Sequence, residues 1–185
     1  MERSELALRR VRRAYEGTHI LAALRGLAIA AVVIVLAVGL HRITDASWLF
    51  AALLTASLAA LGWRGGAWRR GAFSGVLAGL PPLLAQSIVY AMSHGGHCAT
   101  CELGATWPCM IACFGTSSLL GMVVGHRATT DASPRQFAVA AIATAALTGL
   151  LGCGTNGLGG AVGVVLGLVA GGVTGWLVAG RTVHV

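Results

Sequence analysis

Six long apolar runs leave this chain few folds to choose from. They cover roughly residues 19–40, 46–63, 71–93, 108–125, 137–153 and 158–179, and Arg25 is the only charge inside any of them. A helix rises about 1.5 Å per residue, so about 20 apolar residues cross the ~30 Å hydrocarbon core of a bilayer. Each run has about that length, although the second and fifth are short. Composition points the same way: 56% of residues are hydrophobic and 10% are charged, against about 25% charged in soluble domains. Thirteen basic and six acidic side chains cannot solvate a 185-residue globule. This hydrophobicity excludes disorder, and the 27 glycines lack the strict third-residue repeat of collagen. The expected fold class is all-α: a polytopic membrane protein with six transmembrane helices over 19–179, a cytoplasmic segment 1–18 and a tail 180–185.

Orientation follows from arginine, the only basic residue used apart from histidine. Segment 1–18 holds Arg3, Arg9, Arg10, Arg12 and Arg13; the second connection between runs holds Arg64, Arg69 and Arg70; the fourth holds Arg127 and Arg135; the tail holds Arg181. The opposite connections carry only Arg42. Lysine and arginine concentrate on the cytoplasmic side of membrane proteins, so both termini are expected inside. This placement accounts for the net charge of +7, and no direct nucleic-acid binding is expected. The first run lacks a small-residue cleavage site, and its Arg-rich preface suits an uncleaved anchor.

Local signals fit these spans. Ser133-Pro134-Arg135-Gln136 has the form of a capping box, with Ser133 as N-cap and Gln136 reaching back to it. Pro108 opens the fourth run, and Pro81-Pro82 in the third should kink it by removing two N–H donors. Gly159, Gly163, Gly167, Gly171 and Gly175 recur every four residues, as do Gly71, Gly75 and Gly79. Small residues at that spacing let helix backbones approach closely, either within one bundle or across a homo-oligomer. The run 152–160 has the glycines of a phosphate loop but neither its lysine nor a preceding strand, so it reads as a turn. The five tryptophans fall near run ends, as an interfacial aromatic belt would. His19, His126 and His184 are expected to be solvated at the cytoplasmic boundary.

All five cysteines fall on the external side of this topology. Cys98 and Cys101 lie in the 94–107 connection, Cys109 and Cys113 in the first turns of the fourth run, and Cys153 at the end of the fifth. His94 and His97 complete a His94-x2-His97-Cys98-x2-Cys101 pattern. Three readings are open. An oxidising compartment favours disulfides that pin the loop. Closely spaced thiols can instead cycle between dithiol and disulfide. Two imidazoles and two thiolates can also surround Zn or Cu(I), with Cys109 a further ligand.

The N-terminal segment is amphipathic in helical register. Ala7, Leu8, Val11, Ala14 and Tyr15 form one face, and Arg9, Arg10, Arg12 and Arg13 cover much of the rest. Such a helix lies on anionic lipid or docks into a cytoplasmic partner.

The function classes narrow accordingly. No Asp, Glu or Lys lies within a run, so the usual intramembrane proton carriers are missing and ion-coupled transport is disfavoured. A metal-handling transporter with external capture cysteines stays open. Cys98-x2-Cys101 resembles the active pair of the quinone-linked disulfide-forming proteins of the DsbB type. Six spans, an Arg-rich cytoplasmic helix and external cysteines together resemble the small six-span bacterial membrane anti-sigma factors of the NrsF type. That resemblance implies an inner-membrane protein whose segment 1–18, with the 64–70 loop, holds a sigma factor until an external redox or metal event releases it. The leading reading is a non-enzymatic membrane sensor or regulator.

Overall fold

A computed structural model describes residues 2–40, 45–93, 106–153 and 158–182, with side chains over 16–40, 47–84, 110–152 and 159–180. Among the described residues the chain is entirely helical: α1 (Glu2–Leu40), α2 (Asp45–Arg64), α3 (Gly66–Ser93), α4 (Thr106–Thr129), α5 (Pro134–Cys153) and α6 (Leu158–Thr182).

Two short connections show why helices stop where they do. Between α2 and α3 the chain reverses through Gly65 (φ +69°) and Gly66 (φ +54°). An L side chain in that left-handed region costs about 1–2 kcal/mol, so a reversal this tight falls to glycine. The Gly65 N–H donates to the Leu61 carbonyl at 3.2 Å and closes α2. Between α4 and α5, Ser133 and Pro134 take the expected cap and first-turn positions, and the Ser133 carbonyl accepts the Phe137 N–H at 3.1 Å. The capping box is completed differently from the sequence expectation. The Ser133 N–H donates to Asp131 Oδ1 at 3.0 Å, in the place assigned to Gln136. A carboxylate two residues upstream makes a short Asx turn, and this ring closes on the N–H before a longer glutamine side chain is needed.

Glu2–Leu40 is one helix of 39 residues, so the Arg-rich stretch continues directly into the apolar one. Likewise α3 continues as a helix through Pro81 and Pro82. Pro82 is among the fully buried side chains and lies beside Gly149 of α5.

The helices form three layers of two: α1 with α2, α3 with α5, and α4 with α6. Ala30, Leu54, Val76 and Leu83 join the first layer to the second. Ala78, Ala141, Val164 and Leu168 join the second to the third. The glycine ridges set directions within the layers. A Cβ on Gly163 would meet the Met110 carbonyl at 3.0 Å and one on Gly167 the Phe114 carbonyl at 2.6 Å; Gly171 and Gly175 face the Ser118 and Met122 carbonyls more closely still. Glycine and partner advance together by four, so α4 and α6 are parallel. From the other side, Gly121 meets the Leu168 carbonyl at 2.5 Å. Gly71, Gly75 and Gly79 step along Phe137, Ala141 and Ala145 in the same way, so α3 and α5 are parallel too. Gly26 against Leu58 and Gly62 against Ala22 run in opposite order, which makes α1 and α2 antiparallel. Gly159, the first member of the α6 ridge, has no such neighbour.

Buried positions are held largely by small residues, including Ala30, Ala128, Ala141, Ala145, Ser117, Thr144 and Thr148. Large apolar residues face outward: Val35 is 69% exposed, Leu119 70% and Ile111 62%. This reverses the arrangement of a water-soluble bundle and suits a hydrocarbon surrounding. Four helices are long and apolar enough over their described residues to cross a membrane: Glu16–Leu40, Ser47–Arg64, Pro134–Gly152 and Gly159–Gly180.

The contact map of the glycines predicts opposite outcomes for one kind of substitution. Gly171→Ala drives a methyl into the Ser118 carbonyl and should destabilise the detergent-solubilised protein by about 1–3 kcal/mol. Gly115 meets nothing within 4 Å, and Gly115→Ala should stabilise α4 by up to about 1 kcal/mol. Thermal unfolding of the two variants measures the contrast.

Candidate functional site: the two ends of the bundle

The helix directions sort the charged residues in space. With α3 and α5 parallel, their first turns share one end of the bundle, joined there by the end of α2 and the α4–α5 turn. Arg64, Arg69, Arg70, Arg127 and Arg135 lie in those segments, and Arg25 lines a cleft with Arg69 and Arg70. Every arginine with a described side chain is therefore at one end. The first turns of α4 and the last of α5, which carry Cys109 and Cys153, are at the other.

The arginine end is tied together by polar contacts. Arg70 Nε donates to Asp131 Oδ2 at 2.9 Å and Arg70 Nη2 to Asp131 Oδ1 at 3.0 Å. This two-pronged geometry fixes α3 to the α4–α5 turn more firmly than a single-point ion pair does. The Asp131 side chain is only 9% exposed, against 55% for Arg70. The hydrogen bonds from Arg70, and then the one from the Ser133 N–H, hold the Asp131 carboxyl below its ordinary range. The same pairing raises the Arg70 guanidinium above its own. A second tie joins α1 to α2. His19 Nδ1 hydrogen-bonds the Trp63 carbonyl, an acceptor left over at the end of α2. His19 is thus part of the scaffold at this end, where a merely solvated residue was expected. Arg64 stacks its guanidinium 5.4 Å from the centre of the Trp68 ring.

Deeper in the bundle, Thr144 Oγ1 donates to the Ala140 carbonyl at 2.8 Å and lies 3.0 Å from the Ala72 carbonyl on α3. Gly75 leaves room for that hydroxyl, because a Cβ there would collide with it.

At the opposite end, Cys113 is 3% exposed and belongs to the core cluster with Val164 and Leu168. It is inside the bundle, shielded from water-borne reagents. Cys109 sits in the first turn of α4 and Cys153 closes α5, and their side chains lie outside those described. His94, His97, Cys98 and Cys101 lie outside the described residues altogether. Arg9, Arg10, Arg12, Arg13 and Tyr15 fall on the α1 backbone, again without described side chains. Among the described residues, no three His, Cys, Asp or Glu side chains converge as a metal site.

Sequence reasoning passed over Asp131, the residue that organises the arginine end. A signal was available: after segment 1–18, Asp131 is the only acid in the Arg-rich connections expected on the cytoplasmic side. No family model, curated protein or solved structure matches this chain.

The depressed Asp131 carboxyl predicts a pH dependence. Arg70 and the Ser133 N–H stabilise its ionised form, so its contribution is complete above the ordinary carboxylate range. It is lost as pH falls through the lowered folded-state value. Asp131→Asn should lower the unfolding temperature at pH 7, and the gap from wild type should close only below the usual carboxylate range. Thermal scans of both proteins across acid pH measure that closure.

Proposed function

We propose that this protein is a six-span bacterial inner-membrane sensor or regulator, with both termini in the cytoplasm. Its external cysteine cluster, Cys98, Cys101, Cys109, Cys113 and Cys153 with His94 and His97, responds to thiol oxidation or to Zn or Cu(I). The response reaches a cytoplasmic protein, with a sigma factor the partner type suggested by the architectural resemblance. Lipid surrounds the bundle.

The observation that carries this reading is the continuity of α1. Its 39 residues extend to about 58 Å at ~1.5 Å per residue, well beyond the ~30 Å hydrocarbon core. An unbroken helix transmits rotation or tilt from the membrane to Arg9, Arg10, Arg12, Arg13 and Tyr15, whereas a hinged interfacial helix would absorb it. Segregation of the described arginines to one end supports the orientation. Backbone placement of Cys109 and Cys153 at the far end supports an external cluster. The buried position of Cys113 favours a role as a resolving or packing residue, with the loop cysteines as the first to react.

Two experiments test the reading. Alkaline phosphatase fusions within 94–105 should be active, and fusions within 64–66 or 129–133 inactive; the reverse pattern overturns the orientation. Thiols in intact cells are then counted by mass-tagging with a membrane-impermeant maleimide, with and without reduction and chelation. At least two should react in resting cells or after chelation, and protection should appear on oxidant or metal stress. If all accessible cysteines react only after reduction under every condition, the cluster is a structural staple and the sensing role fails.

A further inference from the structure

We infer that the cleft between α1, α2 and α3 at the arginine end is a binding site for the headgroup of an anionic phospholipid. The inference rests on the membrane reading above and is independent of the cysteine cluster and of any sensing role.

The cleft exists because α1 and α2 meet through Gly26 and Gly62, while α3 begins one tight turn later and stands off from them. The space is about 340 Å³. Ile29, Leu58 and Phe73 supply apolar wall, and Arg25, Arg69 and Arg70 line it as well. Two of these charges have no answer within the described protein: neither the Arg25 nor the Arg69 side chain has a hydrogen-bond or ion-pair partner there. Arg25 is also the single charge in six apolar runs. An ionised group in such a stretch is costly unless something pairs with it. Arg70 gives Nε and Nη2 to Asp131, and a guanidinium has further N–H donors to offer. Setting Asp131 against the three arginines leaves the cleft at +2, which calls for an anion.

Size and surroundings select an amphiphile. The volume lies at the lower end of the ~300–1,000 Å³ range of small-molecule sites. It accommodates a phosphate with its glycerol but not two acyl chains. Chains have a continuous path outside, since Leu24 is 54% exposed, Phe73 51% and Leu77 51% along the adjoining outer surface. Basic pockets between helices at the cytoplasmic leaflet have the chemistry for this recognition.

The full-length protein, delipidated in neutral detergent, is titrated by native mass spectrometry with phosphatidylglycerol, phosphatidylcholine or inorganic phosphate. Phosphatidylglycerol should bind about tenfold or more tightly than phosphatidylcholine, and equimolar phosphate should not displace it. R25Q/R69Q should weaken phosphatidylglycerol binding about thirtyfold, which is ~1 kcal/mol for each basic residue; R25Q alone should weaken it about fivefold. R135Q, which removes a charge at the same end but outside the cleft, should leave affinity within about twofold. The unfolding midpoint without lipid should match wild type in each variant, because the replaced side chains are exposed and unpaired in the described structure. Equal loss in R135Q would reduce the effect to general surface potential. Full displacement by phosphate would make the cleft a soluble-anion site, and equal binding of the two lipids would remove it as an anion site. Each of those results overturns the inference.

Discussion

Close backbone approach through glycine is the constraint on which the rest of this bundle depends. Where outward-facing side chains are already apolar and the surroundings are hydrocarbon, burial of apolar area gives helices little reason to associate. What remains is dispersion at short range, which falls steeply once a gap opens. Gly163, Gly167, Gly171 and Gly175 bring α6 against the carbonyls of α4, and Gly71, Gly75 and Gly79 bring α3 against α5. Thr144 uses that proximity to place its hydroxyl 3.0 Å from the Ala72 carbonyl across the seam.

These seams have a consequence for the position of charge. A four-residue ladder against a four-residue ladder fixes direction as well as distance, so α3 and α5, and α4 and α6, run parallel. Parallel pairing of alternate helices requires the connections between them to gather at common ends. Arg70 and Asp131 are far apart in the chain, yet they meet because the first turn of α3 and the α4–α5 turn share an end. The ion pair is therefore made possible by the glycine ladders, and in turn it secures the end of the bundle where several cations are crowded. The Arg25–Arg69–Arg70 cleft arises at the same place, where the α1–α2 layer meets α3.

The long α1 gives this end a mechanical element. Treated as sequence, 1–18 and 19–40 have different compositions and invite division. Treated as structure, Glu2–Leu40 is one helix. Any tilt of α1 within the bundle is shared by its arginine-rich half, whether the occupant of that half is a protein or lipid headgroups.

Much of the architecture was legible because it depends on local composition. Apolar run length places the six helices, the glycine period identifies the packing faces, and Ser133-Pro134 marks the start of α5. Arginine distribution anticipates the charged end without coordinates. Other features depend on residues distant in the chain, and no local pattern contains them. Which ladder meets which helix, that Gly159 stays outside its ladder, that Asp131 displaces Gln136 at the cap, and that His19 ties α1 to the end of α2 are decided only when the layers assemble. The candidate site divides along the same line. The cysteine and histidine pattern is visible as spacing, whereas the burial of Cys113 in one core cluster with Val164 and Leu168 of α6 is not. Helices, apolar exteriors and segregated arginines could be read from the chain alone, since hydropathy and charge are properties of single residues. The parallel pairs, the Arg70–Asp131 tie and the three-arginine cleft came from assembly, since each joins residues that are distant in the chain.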